Sequence, residues 1–427
     1  MESILRNVKK LIPKPIFRLL QPVYHYGLAV AGAVRYGFPS QKITVIAVTG
    51  TKGKSSVTEL IAALLREDGK KVASLSTIQF TYGNAKERNL FKMTMPGRFF
   101  VQKFLRRAVD EGCTHAVIEM TSEGARQFRH KFVDLNALVF TNLSPEHIES
   151  HGSFEKYKAA KLELAKAVAN SPKRPRVLIA NTDDEHGKDF LNFPVEKKVP
   201  YSLKDLTLHT LQKDSISLVI NDTTIRIPLV GLFNVYNVLA AIKTAEQFGV
   251  GLETANRALR ELPPIAGRAE RFTTAKGAMK QVTAVVDYAH TTDSLEKLYQ
   301  AFPDQPKICV LGNTGGGRDT WKRPEMAAIA EKYCEHIFLT DEDPYDEDPR
   351  EILAQMEKGI ENKDKVTTIL DRKEAIRAAV ARAKDGNYVI VSGKGTDPCI
   401  MGPNGSRTPW SDAQVVKEIL AELSKIA

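Results

Sequence analysis

From Ile43 onward, short β-branched runs alternate with longer stretches in which apolar residues recur every three or four positions. The first run, ITVIAVT, passes through a Gly-rich turn into SSVTELIAALLRED. There Val57, Leu60, Ile61, Leu64 and Leu65 fall at i, i+3, i+4, i+7 and i+8, so strand, loop and amphipathic helix are predicted in that order. Similar strands are predicted at HAVIEM, NALVFTNL and RVLIAN, with helices at FVQKFLRRAVDEG and FEKYKAAKLELAKAVA between them. That alternation predicts an α/β domain on a parallel sheet. SISLVINDTTIRIPL reads as a β-hairpin turning at Asn221-Asp222, and a helix follows at NVLAAIKTAEQFG. The paired prolines and Gly267 of ELPPIAGRAE mark a boundary near Ile265, after which QVTAVVDYAH, KICVLGN, HIFLTDED and YVIVSG supply strands of a second α/β domain. The expected organisation is a short N-terminal segment at 1–40, a central domain at 41–264 and a C-terminal domain at 265–427. A chain of 427 residues, 43% hydrophobic, is long enough to fill more than one core.

Residues 1–40 are different in kind. Cations (Arg6, Lys9, Lys10, Lys14, Arg18) mix with apolar residues (Leu5, Val8, Leu11, Ile12, Ile16, Phe17, Leu20) partly at helical spacing. The plain reading is a segment packed on the next domain; the alternative is an interfacial membrane contact, against which Pro13, Pro15 and Pro22 speak by interrupting one long amphipathic helix. No signal peptide or transmembrane helix is predicted, since the longest early apolar stretch, Leu28 to Val34, is short and broken by Gly32. The charge surplus of +10 suits small acidic substrates as well as nucleic acid, and no RNA-binding or helix-turn-helix pattern favours the latter. Cys113, Cys309, Cys334 and Cys399 show no paired short spacing, so neither a zinc ribbon nor a disulfide framework is expected, in keeping with a cytoplasmic location.

The turn after the first strand, Gly50-Thr51-Lys52-Gly53-Lys54-Ser55-Ser56, carries the chemistry. It misses the general pattern G-x-x-x-x-G-K-[ST], because Val48 stands where the first glycine would fall. Its mechanics still hold: amides of residues 51–55 can wrap phosphate oxygens at a helix N-terminus, Lys54 can neutralise a terminal phosphate and Ser55 can ligate Mg²⁺. By itself the loop predicts nucleotide binding and no more.

With that loop, the ordered set EMTS (119–122), TNLSPEHIESH (141–151), YKAAK ending at Lys161, GLFNVYN ending at Asn237, GRAE from Gly267, VVDYAHTTDSLE around Asp287 and SGKGTD ending at Asp397 resembles the Mur ligase superfamily from Ile43 to the end of the chain. Its DYAH, KRP and GKG segments look most similar to the tripeptide synthetases of that family. The resemblance implies an α/β fold: a central P-loop Mur-ligase ATPase domain and a C-terminal Rossmann-like α/β domain. The activity it implies is an ATP-dependent ligase that makes an acyl phosphate from a carboxylate and then an amide. It implies ATP and Mg²⁺, with Ser55, Glu119, His147 and a carbamylated Lys161 at the metal ions. Taken by itself, Lys161 would be a solvated helix lysine, and His147 a structural histidine. The same resemblance places Asn237, Arg268 and Asp287 at the nucleotide. It sets Thr94, Thr121, Gln127 and Arg129 at a muropeptide-like acceptor, and Arg318, Glu342, Asp343, Tyr345, Gly393 and Asp397 at the incoming amino acid. A monomer without nucleic acid is implied.

Three departures bear on the substrates. About 40 residues precede the nucleotide strand, too few for the separate uridine-nucleotide domain of the stem-peptide ligases, so either the UDP-sugar is held differently or the acceptor is not UDP-linked. Where a diaminopimelate-adding enzyme has DNPR, this chain has Glu342-Asp343-Pro344-Tyr345. Asp341, Glu342, Asp343, Asp346 and Asp397 then form either an acidic pocket suited to the side-chain ammonium of lysine or ornithine, or a solvated turn. Glu123 stands where a histidine is usual. The competing readings are a folylpolyglutamate-synthetase-like ligase, against which DYAHTTD and GKGTD argue, and a nucleotide-binding protein without turnover.

Overall fold

The computed structural model describes residues 14–146, 151–303, 305–317 and 319–425, without the side chains of 14–20 and 424–425. The chain packs as two compact units: Met1–Arg88, Met93–Ser202 and Leu239–Leu252 form the first, and Asn89–Lys92, Leu203–Val238 and Glu253–Ala427 the second.

The first unit is built on β1 (Thr44–Thr49), β2 (Val72–Leu75), β3 (Gln79–Tyr82), β4 (Ala85–Arg88), β5 (His115–Glu119), β6 (Ala137–Phe140), β7 (Val177–Asn181) and β8 (Lys197–Tyr201). They form one sheet in the order β4-β3-β2-β5-β1-β6-β7-β8. Its pairings are parallel except where β3 meets β2 and β4. The central strands are near-continuous apolar runs because the helices Lys54–Glu67 and Phe154–Ala169 pack on the sheet. β1 leads on toward β2, whereas β6 leads toward β7 on the other side. The direction of winding therefore reverses between β1 and β6, and a crevice opens there at the carboxyl ends of the strands.

One expectation is overturned in this unit. A single helix, Lys14–Tyr36, runs straight through Pro22. The proline costs one backbone hydrogen bond, and the packing of Ala29, Gly32 and Ala33 farther along holds the helix in place. Residues 1–13, with Arg6, Lys9 and Lys10, lie outside the described residues.

In the second unit, β9 (Leu208–Leu211), β10 (Ile216–Ile220) and β11 (Thr223–Ile227) form an antiparallel sheet. Its predicted turn is present, with Asn221 and Asp222 at φ 46° and 62°, the paired left-handed conformations of a two-residue hairpin. The main sheet comprises β12 (Glu270–Thr273), β13 (Thr283–Val286), β14 (Lys307–Leu311), β15 (His336–Leu339), β16 (Val366–Thr368) and β17 (Tyr388–Val391), in the order β12-β13-β17-β14-β15-β16. All but β12 are parallel. Two apolar layers cover it, one around Leu298, Met326 and Leu353, the other around Ile376, Val380 and Val416.

Here too a sequence expectation fails. Cys309 and Cys334 are joined by a disulfide across 25 residues, with Cα atoms 6.1 Å apart. Spacing alone hides this pair, because the β14-helix-β15 crossover is what brings the two positions together. Beneath the same sheet, Arg372 and Asp412 form a fully buried bidentate ion pair, both bonds 2.8 Å. Removing one partner would strand the other charge, so Asp412→Ala is expected to cost about 3–5 kcal/mol. Urea unfolding measures it; a loss below about 1 kcal/mol would show that the charge is relieved in another way.

Candidate active site

At the crevice of the first unit the chain leaves β1 through Gly50, whose φ of 149° is one that L side chains rarely adopt. A Cβ there would lie 1.9 Å from Thr141 Oγ1, so only glycine fits between β1 and the end of β6. Residues beyond β6 then brace the loop. Thr51 N donates to Asn142 O (2.8 Å) and Lys52 N to Asn142 Oδ1 (2.9 Å). Thr141 Oγ1 donates to Lys52 O (2.7 Å), and Ser144 N donates to Thr51 Oγ1 (3.0 Å). Lys52 pairs with Glu146 at 2.8 Å. The helix begins at Lys54, directly after Gly53, so the amides of its first turn face the crevice, the geometry that binds phosphate. Lys54 Nζ folds back onto Thr51 O (2.9 Å), and Ser56 is buried behind it.

Ser55 Oγ donates to Glu119 Oε2 at 2.9 Å, at the carboxyl end of β5, where Glu119 is buried and also accepts from Thr77 N (2.8 Å). A hydroxyl and a carboxylate are hard oxygen donors that suit Mg²⁺. Among the described residues no group of three or more His, Cys, Asp or Glu is placed to hold a metal ion.

Lys161 is 1% exposed, and its amine donates to Gly50 O at 2.6 Å and lies 4.8 Å over the Tyr157 ring. It is therefore a core residue, not the solvated lysine its sequence context gives. Burial, then the neighbouring Lys54, push its pKa well down toward the neutral amine. His151 stands 5.3 Å from Tyr157, with Nε2 buried and without a hydrogen-bond partner. His147 lies outside the described residues.

A second cluster in this unit holds the expected acceptor residues. Thr94 bonds Thr77 (2.7 Å), and Thr121 caps a short helix by accepting from Gly124 N (3.0 Å). Gln127 Oε1 accepts from Arg129 (2.8 Å) and from Arg98 (3.1 Å). Arg98 escaped the sequence reading. A cation at the start of a helix opposes the macrodipole, and that was the signal for it. Arg129 Nε is buried without a partner, and burial followed by Arg98 lowers its pKa, so two guanidiniums stand together. Glu123, unexplained by sequence, ties Gln127 and Arg126 in place.

In the second unit the candidates gather at the carboxyl ends of β14, β15 and β17. Glu342 is buried, accepts from Thr314 Oγ1 (3.0 Å) and leaves Oε2 without a partner. Gly393, at φ 103°, presses its backbone so close that a Cβ would stand 2.2 Å from that oxygen. Asp343 accepts from the buried Lys394 (2.9 Å) and from Met401 N (2.7 Å). Lys92, which no motif singled out, bonds Asp343 and lies 3.4 Å from Asp397 and 5.8 Å from the Tyr345 ring. Burial disfavours its ammonium, yet Asp397 and Asp343 more than offset this and raise its pKa. Asp346 instead turns out to Asn404 N and stays exposed. Asp287 is buried and accepts from Ala269 N and Ala289 N, both 2.7 Å; burial raises its pKa against the pull of Arg268, which sits 4.8 Å over the Tyr288 ring. Asn237 bonds Asn234 (3.0 Å), and Arg318 lies outside the described residues.

Comparison with known proteins identifies the family. Residues 48–245 match the Mur ligase middle domain and residues 267–395 the Mur ligase, glutamate ligase domain. The chain belongs to the Mur ligase family and is an ATP-dependent amide ligase. Within that family it is 34% identical to the UDP-N-acetylmuramoyl-L-alanyl-D-glutamate--2,6-diaminopimelate ligase of Syntrophomonas wolfei, over 88% of this chain and 78% of the relative. It is equally identical, at 34%, to the UDP-N-acetylmuramyl-tripeptide synthetase of Roseiflexus sp., over 96% and 85%. A solved diaminopimelate ligase superposes with TM-score 0.59 at 29% identity, covering 88% of this chain and 78% of its own. The folylpolyglutamate synthase of Mycobacterium tuberculosis, at 16% identity and TM-score 0.65 over 86% and 92%, shares the fold alone.

Two outcomes follow from the geometry. Gly50→Ala is expected to weaken ATP binding by at least about tenfold, read by calorimetry, while circular dichroism stays native; unchanged binding would mean that the loop can shift. Asp341 is the second case. Burial, opposed in part by the Glu342 amide, raises its carboxyl to about 6, so ionising it costs the folded state nothing below its ordinary 3.8 and most above 6. Asp341→Asn should therefore raise the urea midpoint at pH 8 and leave it unchanged at pH 4.

Proposed function

We propose that this ligase adds a diamino acid with a side-chain ammonium, lysine or ornithine, to the carboxylate of a muropeptide-like acceptor in peptidoglycan precursor synthesis. The relatives' names supply the acceptor class, and the carrying observation is the acidic cluster at the carboxyl ends of β15 and β17. Tyr345 stands there in place of an arginine, and Glu342 keeps one buried carboxylate oxygen unpaired. An ammonium can satisfy that oxygen; the distal carboxylate of diaminopimelate would meet like charge. The domains are taken as a segment at 1–40, a central ATPase domain at 41–264 and a C-terminal amino-acid domain at 265–427, acting as a cytoplasmic monomer.

In this reading the amides after Gly50 and the Lys54 ammonium hold the ATP phosphates, and the acceptor carboxylate takes the terminal phosphoryl group while ADP leaves. Asn237, Arg268 and Asp287 serve the nucleotide, Arg318 grips the amino acid's carboxylate, and Thr94, Thr121, Gln127, Arg129 and Arg98 hold the acceptor. The free amine then attacks the acyl phosphate, phosphate departs, and the amine proton is lost as the amide forms. Ser55 and Glu119, with His147, would hold Mg²⁺, which screens the two anions brought together. Lys161 fits carbamylation. The uncharged amine is the form that attacks CO₂, its proton leaves as the N–C bond forms, and burial already favours that form. The product is a carboxylate that would support the metal site.

Phosphate release with UDP-muramoyl-dipeptide and ATP, screened against lysine, ornithine, diaminopimelate and glutamate, tests the assignment. Release with lysine or ornithine is expected, whereas preference for diaminopimelate or glutamate would overturn the amino-acid reading. Lys161→Ala should lose about ten- to a hundredfold in kcat, as removal of a group supporting a metal ligand does. Stripping CO₂ from the wild type should lower the rate as well.

A further inference from the structure

The helix Lys14–Tyr36 meets the site above through His25, whose Nδ1 bonds Arg98 at 2.5 Å, and its two sides differ sharply. On one side Ala29, Gly32 and Ala33 are buried. The helix packs there on the helix Arg98–Asp110, so closely that a Cβ on Gly32 would be 3.5 Å from Phe99 Cα. The other side faces outward and is apolar. Val23 (69% exposed), Val30 (36%) and Val34 (62%) fall at i, i+7 and i+11, a single stripe, with Tyr26 (46%) and Tyr24 (54%) on its flanks. Arg35 is the one charged residue among the exposed positions of 21–36. A helix face turned to water ordinarily carries more charge than this one.

Charge says what covers it. Between Glu2 and Glu59 the chain has no acidic residue, but ahead of the phosphate loop it has seven Lys and Arg against a surplus of +10 for the whole chain. Pairing two copies of this face would bring two such positive segments together, which is repulsive, whereas an anionic surface is attracted. No helix among the described residues is long and apolar enough to cross a membrane.

We propose that the helix Lys14–Tyr36 is an interfacial anchor that docks this ligase on an anionic lipid membrane. The valine stripe enters the acyl boundary, Tyr24 sits at headgroup depth, and the lysines and arginines of the acid-free stretch that precede the phosphate loop meet the lipid phosphates. The helix already packs against its own unit along the Ala29–Gly32–Ala33 side, so it presents the stripe without having to refold.

Flotation of the full-length protein with vesicles of phosphatidylglycerol and phosphatidylcholine, against phosphatidylcholine alone, tests this. The protein should float with the anionic vesicles, weaken as salt is raised from 0.05 to about 0.5 M and stay behind with the neutral ones. The variant Val23→Asp/Val30→Asp/Val34→Asp alters exposed positions only, and it should lose roughly tenfold or more in vesicle partitioning with native circular dichroism and unchanged phosphate release in solution. The milder Val34→Asp serves if the triple variant unfolds. Failure of the wild type to float would overturn the proposal, as would equal flotation of the variant. Light scattering that showed a dimer lost in the variant would assign the face to self-association and overturn it equally.

Discussion

The approach of Gly50 to the end of β6 constrains the whole nucleotide end of the first unit. No side chain fits there, so the backbone of residues 50–53 can lie directly against Thr141 and Asn142 and take from them the hydrogen bonds that a tight loop cannot make internally. With the loop so fixed, the helix at Lys54 starts at the mouth of the crevice. Ser55 then meets Glu119 from the neighbouring strand, and the amine of Lys161 reaches the Gly50 carbonyl. Each of these depends on β1 lying between β5 and β6, where the winding of the sheet reverses.

Burial of charge sets the chemistry of both units. In the first, Lys161 is shut away beside a second lysine, which drives it toward the neutral amine, while Arg98 and Arg129 are held together by Gln127. In the second, Asp343 and Asp397 are neutralised by Lys394 and Lys92, and Glu342 keeps an oxygen unsatisfied. An acidic sequence therefore does not translate into an equally acidic pocket. What remains unpaired after the internal lysines have been placed is what a ligand can meet.

The strands and helices were legible because each has a periodicity that survives in the tertiary structure. The buried runs at 44–49, 115–119, 137–140 and 307–311 sit where β-branched stretches predicted them, and the Asn221-Asp222 turn has the backbone its residues prefer. The short edge strands β4 and β16 carried no such signal, since exposed residues at a sheet edge need no regular pattern. Pro22 was misread as a break, because local propensity reports the cost of a lost hydrogen bond and not the packing that offsets it.

By itself the sequence determined the family, the α/β alternation and which residue types stand at the phosphate loop, because these rest on local order along the chain. Only the tertiary structure decided that Lys161 is buried, that Arg98 joins Arg129, that Lys92 occupies Asp343 and Asp397, and that Cys309 meets Cys334. Those are pairings between distant positions. Ionisation and reactivity depend on which groups and how little water surround a side chain, and that is settled when strands far apart in sequence are laid side by side.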